Sequence, residues 1–101
     1  MEEKYRGDTF IFPFGFEDEN IQFEVGDILK FGVKKACDCK EHILYKEISI
    51  TEASEEIQVR FEASETVNIA PGEYEIEAEL TKNNIVETCY RGKLKVIGDI
   101  V

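Results

Sequence analysis

The residues best suited to chemistry lie close together in the chain. Cys37-Asp38-Cys39 with His42 spells Cys-x-Cys-x-x-His, and His42 is the single histidine of the sequence. Thiolate and imidazole are the ligands Zn²⁺ prefers, and a structural zinc site needs four of them. A fourth would have to come from Cys89 or a carboxylate. The spacing differs from the common Cys-x-x-Cys knuckle, and a reduced, solvent-exposed hairpin loop is the simpler reading. The expectation is therefore no bound metal, with Cys37, Cys39 and His42 as the weak candidates. A Cys-x-Cys disulfide closed on itself is strained and ranks lower still. Three cysteines leave at least one unpaired within the chain. With no export signal visible after Met1-Glu2-Glu3-Lys4, reduced thiols in the cytosol are expected.

Other groups carry weaker signals. Asp18, Asn20 and Glu24, or the strand glutamates, offer oxygens for Ca²⁺, but the glycine and closing bidentate acid of an EF-hand loop are absent from the sequence. Arg6-Gly7-Asp8 spells a cell-adhesion tripeptide, and Gly-Asp there reads as the turn before a strand. A nucleophile–base arrangement needs a positioned base. Neither a Gly-x-Ser-x-Gly elbow nor a phosphate loop occurs. The abundant carboxylates alternate along strands, where they are hydrated, whereas paired acid–base work needs a cleft that drives two pKa values apart. No catalytic residues and no cofactor are expected.

The elements that must carry these groups are strands. Pro71-Gly72 opens a stretch in which Tyr74, Ile76, Ala78 and Leu80 alternate with Glu73, Glu75, Glu77 and Glu79. Strand side chains point to opposite faces with period two, so one face is apolar and the other carries four carboxylates. Phe10, Phe12 and Phe14 share a face of a strand over Thr9–Phe14, and Pro13 marks that strand as an edge. Ile28–Ala36 turns Leu29, Phe31 and Val33 inward and pairs as a hairpin with His42–Ile50. Glu56–Glu62 turns Ile57, Val59 and Phe61 inward. Ala63–Ile69 is expected to cross between sheets with a turn of 3₁₀ helix, Ser64 serving as a cap. Lys82-Asn83-Asn84 is the last hairpin turn, and the return strand breaks or bulges at Arg91-Gly92 before Lys93–Ile97. Lys4-Tyr5-Arg6 precedes the first strand, and Ile21–Phe23 is at most a very short one.

Several apolar strand faces need opposing faces, which two packed sheets supply. The expected fold is all-β, an immunoglobulin-like antiparallel β-sandwich of seven or eight strands, with residues 1–101 as one domain. Its core is expected to hold Phe10, Phe12, Leu29, Phe31, Val33, Ile48, Ile57, Val59, Phe61, Tyr74, Ile76, Leu80, Leu94 and Val96. Tyr74 should bond its hydroxyl to backbone near the preceding turn, as in a tyrosine corner. A formal net charge of -10 repels nucleic-acid backbones and anionic membranes. No apolar run approaches the roughly 18 residues of a membrane span. Lys30, Lys34 and Lys35 form a small outward strip, read as charge compensation within an acidic domain.

The order of punctuation resembles a known family. Arg6-Gly7-Asp8-Thr9 leads into an aromatic strand. Val25-Gly26-Asp27-Ile28-Leu29-Lys30-Phe31-Gly32-Val33-Lys34 follows, then Ile69-Ala70-Pro71-Gly72-Glu73-Tyr74-Glu75-Ile76, and finally Tyr90-Arg91-Gly92-Lys93-Leu94-Lys95-Val96. This series is similar to the small immunoglobulin-like domains of phage and prophage tail and baseplate proteins of Gram-positive bacteria, in particular the amino-terminal domain of baseplate upper proteins. Cys37-Asp38-Cys39 is not a feature of that family, and Ile76 replaces its second aromatic. The resemblance implies a non-enzymatic structural or interaction module. Its partners would be other virion or scaffold proteins or further copies of itself. Its location would be the bacterial cytoplasm and then the virion. The alternative is a ligand-binding module of extracellular type, for carbohydrate or calcium.

Overall fold

The computed structural model describes residues 2–16, 22–35 and 41–98. Among them run seven strands and one helical turn: β1 (Glu2–Tyr5), β2 (Phe10–Gly15), β3 (Ile28–Lys34), β4 (His42–Ser49), β5 (Glu56–Phe61), α1 (Ala63–Thr66), β6 (Gly72–Lys82) and β7 (Ile85–Ile97). The fold is all-β. Five strands form one sheet in the order β1-β7-β6-β3-β4, and β2 and β5 form a second.

Alternation drives the packing. Leu29, Phe31 and Val33 of β3 and Tyr74, Ile76 and Ala78 of β6 turn to the inner face, and all six are buried. Phe10 and Phe12 of β2 and Val59 and Phe61 of β5 face them in the same core cluster. Phe31 sits at the centre, its ring centroid 4.8 Å from Phe12 and 5.7 Å from Phe61 across the gap between the sheets. Ile48 and Ile57 border this core. Leu80 belongs instead to a second cluster with Phe23 and Ile50. That cluster forms because Phe23 pairs with Ser54 in an isolated bridge, which brings the β2–β3 and β4–β5 connections together.

The turns follow their residue chemistry. Asn83 and Asn84 carry φ of 52° and 65°, and Lys82 pairs with Ile85 around them. Two successive positive φ values make the tight turn whose twist matches its flanking strands, and asparagine tolerates that region. The turn before β3 is held by Asp27, whose buried carboxylate accepts from the Glu24 N–H at 3.0 Å and from Lys82 Nζ at 3.0 Å. Tyr74 donates its hydroxyl to the Ala70 carbonyl, as the tyrosine-corner expectation requires.

Three expectations need correction. The sheet is mixed, because β1 runs parallel to β7, with Glu2 opposite Leu94 and Tyr5 opposite Ile97. Glu-Glu-Lys-Tyr has no apolar alternation to announce a strand, and the unpaired edge of β7 supplies the partner. The crossing after β5 is a turn of α-helix, and its N-cap is Glu62 rather than Ser64. Glu65 reaches back to accept from the Glu62 N–H at 2.7 Å, a side-chain contact that satisfies a donor at the helix start. The bulge in β7 is at Cys89, since Ala78 pairs with Tyr90 and Glu79 with Thr88. Arg91 and Gly92 pair regularly with Glu77 and Ile76. Pro13 does lie on an outer strand, as expected, but it pairs in register with Gln58 without a bulge.

Two lysines close the sides of the stacked sheets. Lys4 of β1 is opposite Val96, on the inner side, and reaches β2, donating to the Ile11 carbonyl at 3.3 Å with its ammonium 5.3 Å from the Phe12 ring centre. Lys46 of β4 is opposite Phe31 and reaches β5, donating to the Arg60 carbonyl with its ammonium 4.9 Å from the Phe61 ring centre. An inward-pointing charge on an outermost strand discourages pairing with another chain. Cation–π contacts at exposed sites contribute about 0.5–1 kcal/mol. Lys4→Ala and Lys46→Ala should thus each cost no more than about 1 kcal/mol, while the double variant should self-associate more than the parent. Sedimentation velocity checks this, and identical profiles for the two proteins would remove the edge-guarding role.

Candidate functional site

The outer face of the five-stranded sheet gathers the charged residues. Along β6, Glu73, Glu75, Glu77 and Glu79 all point away from the core. Register then sets cations beside them. Lys30 of β3 stands opposite Glu79 on one side and Glu47 of β4 on the other. Lys34 stands opposite Glu75, and Glu75 opposite Lys93. Glu77 is opposite Arg91, with 3.5 Å between Oε2 and Nε. Glu73 is opposite Lys95, which in turn neighbours Glu3. Opposite charges directly across a strand pair stabilise by roughly 0.2–1 kcal/mol, and exposure keeps each of these near the lower end. The compensation expected for Lys30 and Lys34 is realised strand against strand. Lys35 follows the end of β3.

One position interrupts this pattern. Gly32 occupies the β3 site between Tyr45 of β4 and Glu77 of β6, and it carries no side chain to fill the row. The His42 ring uses that space: its Nε2 lies 2.6 Å from where a Cβ on Gly32 would stand. The ladder slips between Val33 and Lys34, which brings His42 opposite Lys34. Tyr45 lies beside His42, with ring centroids 5.0 Å apart and planes tilted by 37°. Both rings are exposed. A cavity of about 200 Å³ opens there, between Lys30, Lys34, Tyr45 and Glu77. A second of about 530 Å³ adjoins it along β6 and β7, and the two share Lys34 and Glu77.

A different surface lies on the flank. β1 covers β7 only at Leu94–Ile97. From Ile85 to Lys93, β7 has β6 on one side and no strand on the other among the described residues. Beneath this open edge is a groove of about 220 Å³ lined mainly by aromatic rings, among them Phe12, Phe14, Phe16 and Tyr90. Phe14 and Tyr90 meet edge to face at 5.5 Å, and the absent side chain of Gly92 makes room for the Tyr90 hydroxyl. The bulge brings Cys89 to the same groove, where its thiol donates to the Ala78 carbonyl at 3.4 Å. Burial, with Glu79 adding to it, raises the Cys89 pKa, so this thiol is held in its less nucleophilic form.

Of the metal candidates, the described residues place only His42 and Cys89, and these lie apart. Cys37 and Cys39 lie outside the described residues. His42 is on the outer face of β4, while Cys89 lines the flank groove of β7, with β3 and β6 between them. Cys89 is therefore not the fourth ligand of a His42 site. Among the described residues no three His, Cys, Asp or Glu side chains are placed to hold a metal. Asp18 and Asn20 also lie outside the described residues, and Glu24 pairs with Lys82 at 3.6 Å. Arg6-Gly7-Asp8 forms the turn between β1 and β2, with Gly7 at φ 90°. The Asp8 carbonyl accepts from the buried Thr66 hydroxyl at 2.6 Å, which ties that turn to α1. Among the described residues no helix is long and apolar enough to cross a membrane. Sequence reasoning missed both surfaces. Gly32 within a strand was the visible signal for the first, and the aromatic run Phe12-Pro13-Phe14-Gly15-Phe16 for the second. No family model matches the chain, and neither the curated proteins nor the solved structures searched contain a match.

Proposed function

We propose that this chain is a non-enzymatic interaction module with an immunoglobulin-like fold, built into a phage or prophage tail or baseplate assembly. The fold assignment is supported by the order β1-β7-β6-β3-β4 opposite β2-β5, with a helical turn before β6 and the Tyr74 hydroxyl bonded back to Ala70. The assembly assignment draws on the motif order beginning at Arg6-Gly7-Asp8-Thr9 and ending at Gly92-Lys93-Leu94-Lys95-Val96. The docking mode rests on one observation. The two outermost strands of the large sheet are guarded by Lys4 and Lys46, whereas β7 from Ile85 to Lys93 is, among the described residues, open beside an aromatic groove. An open edge offers backbone hydrogen bonds to an added strand, and the groove accepts its alternate side chains. The partner is an extended segment of another virion or scaffold protein. The chain would be made in the bacterial cytoplasm and carried into the virion.

Co-expression with the products of neighbouring genes tests this reading. A tail or baseplate protein should co-purify in a defined ratio, and Val86→Asp on the exposed edge should break the complex without unfolding the domain. A monomer that joins none of those products would overturn it.

A further inference from the structure

The surface around Gly32 lies on the opposite face of the sheet from the aromatic groove and has its own chemistry. We propose that this outer face is a binding site for a neutral oligosaccharide, with Tyr45 and His42 as the stacking platform. Lys30, Lys34 and Glu77 would be the hydrogen-bonding groups around the sugar.

Three observations carry the inference. The first is the platform. Two aromatic rings lie side by side and exposed on a β-strand, one of them resting on the backbone of Gly32. Aromatic faces exposed beside polar groups suit ligands with one apolar face and polar edges, and a pyranose has both. The second is charge mixing. Across the two cavities Lys30, Lys34, Arg91 and Lys93 are interleaved with Glu75, Glu77 and Glu79, so neither sign has the surface to itself. An anionic ligand would meet the carboxylates, and a cationic one the lysines and the arginine. A polyhydroxyl ligand can accept from lysine and donate to glutamate at once, and such charge-assisted hydrogen bonds are roughly twice as strong as neutral ones. The third is shape. The two cavities share Lys34 and Glu77, with volumes of about 200 and 530 Å³. That is room for more than one sugar ring along β6 and β7.

The test is an NMR titration of the ¹⁵N-labelled full chain with cellotriose, maltotriose and N,N′,N″-triacetylchitotriose. Trigalacturonate and inorganic phosphate serve as anionic probes. At least one neutral trisaccharide should give saturable shifts centred on Lys30, Gly32, Lys34 and Glu77. Tyr45→Ala should weaken that binding about tenfold, and Glu77→Gln should weaken it as well. Both positions are on the surface, and the spectrum of each variant reports whether the fold is kept. Three outcomes overturn the proposal: no saturable shift with any neutral trisaccharide at about 10 mM, well above a millimolar Kd; tighter binding of either anion at this face; or shifts confined to the groove beside Phe14 and Tyr90. Because the site is on the opposite face from that groove, loss of sugar binding leaves the docking reading intact, and the reverse holds too.

Discussion

Replacing Phe31 with alanine should lower the stability of the fold by about 3–5 kcal/mol, the range for truncating a buried aromatic. Phe31 is fully buried on β3, the strand between β4 and β6. Its ring meets Phe12, Phe14 and Phe61, all from the smaller sheet. No other side chain of the large sheet makes ring contact with three aromatics of the small one among the described residues. Alanine would therefore leave a cavity at the seam of the two sheets, where collapse requires the sheets themselves to move. Stabilities of small domains are about 5–15 kcal/mol, so the substitution removes roughly a fifth to all of the margin. A chain of 101 residues loses roughly 4–8 °C of Tm per kcal/mol, which puts the fall above about 12 °C. Urea unfolding followed by far-ultraviolet circular dichroism measures the effect, with Ile85→Ala on the exposed hairpin as the comparison. Equal midpoints for the two variants would show that Phe31 is not the keystone of the core.

The second large effect belongs to Tyr74. Its hydroxyl donates to the Ala70 carbonyl across the Pro71-Gly72 turn, and its ring is buried against the core. Tyr74→Phe keeps the ring and removes the donor, leaving that carbonyl without this partner. The expected loss is about 1–2 kcal/mol at neutral pH. The same residue shapes the alkaline limb. Burial raises the Tyr74 pKa above its ordinary value, so the folded state favours the protonated phenol. A group raised in this way contributes its full stabilisation below its unfolded pKa, about 10 for tyrosine. That contribution is lost as pH rises through the folded value. Tyr90, raised by burial and then by Glu2, acts with the same sign. So does Lys82, raised first by its hydrogen bond to Asp27. Stability should thus begin to fall above about pH 8.5, where Cys89 comes in, and fall further above about pH 10. Tyr74→Phe should start lower and fall less steeply, because one of four contributors, the raised Cys89 thiol among them, is gone. Thermal midpoints between neutral pH and the alkaline limb separate the cases. Parallel slopes in parent and variant would remove Tyr74 as a source of the alkaline loss.

Much of the fold could be read along the chain because strand chemistry is local. The alternation from Tyr74 to Leu80, the inward triplets of β3 and β5, and the Asn83-Asn84 turn each depend on neighbours within a few residues. The features that were missed depend on partners distant in sequence. Lys46 looks like any polar residue of β4 until β5 places the Arg60 carbonyl and the Phe61 ring beneath it. Thr66 looks like a helix residue until its hydroxyl meets Asp8, far away in the chain. Cys89 drew attention as a metal ligand, yet its placement follows from the extra residue that β7 carries opposite Ala78 and Glu79. Nothing within Glu87-Thr88-Cys89-Tyr90 marks that bulge, since it exists only relative to β6.

The candidate sites divide in the same way. Residue order alone establishes that β6 has a dry face and an acidic face, that apolar strand faces must stack, and that Gly32 falls at an outward position within a strand. These follow from side-chain period and composition alone. What lies beside each group depends on how the strands pack: cations opposite the β6 glutamates, His42 over Gly32, and, among the described residues, β7 open beside Phe14 and Tyr90. Register separates the two kinds of information. A shift of one residue between strands would exchange faces and partners while leaving every local pattern unchanged. Register is set by the whole packed core and the turns that bound it.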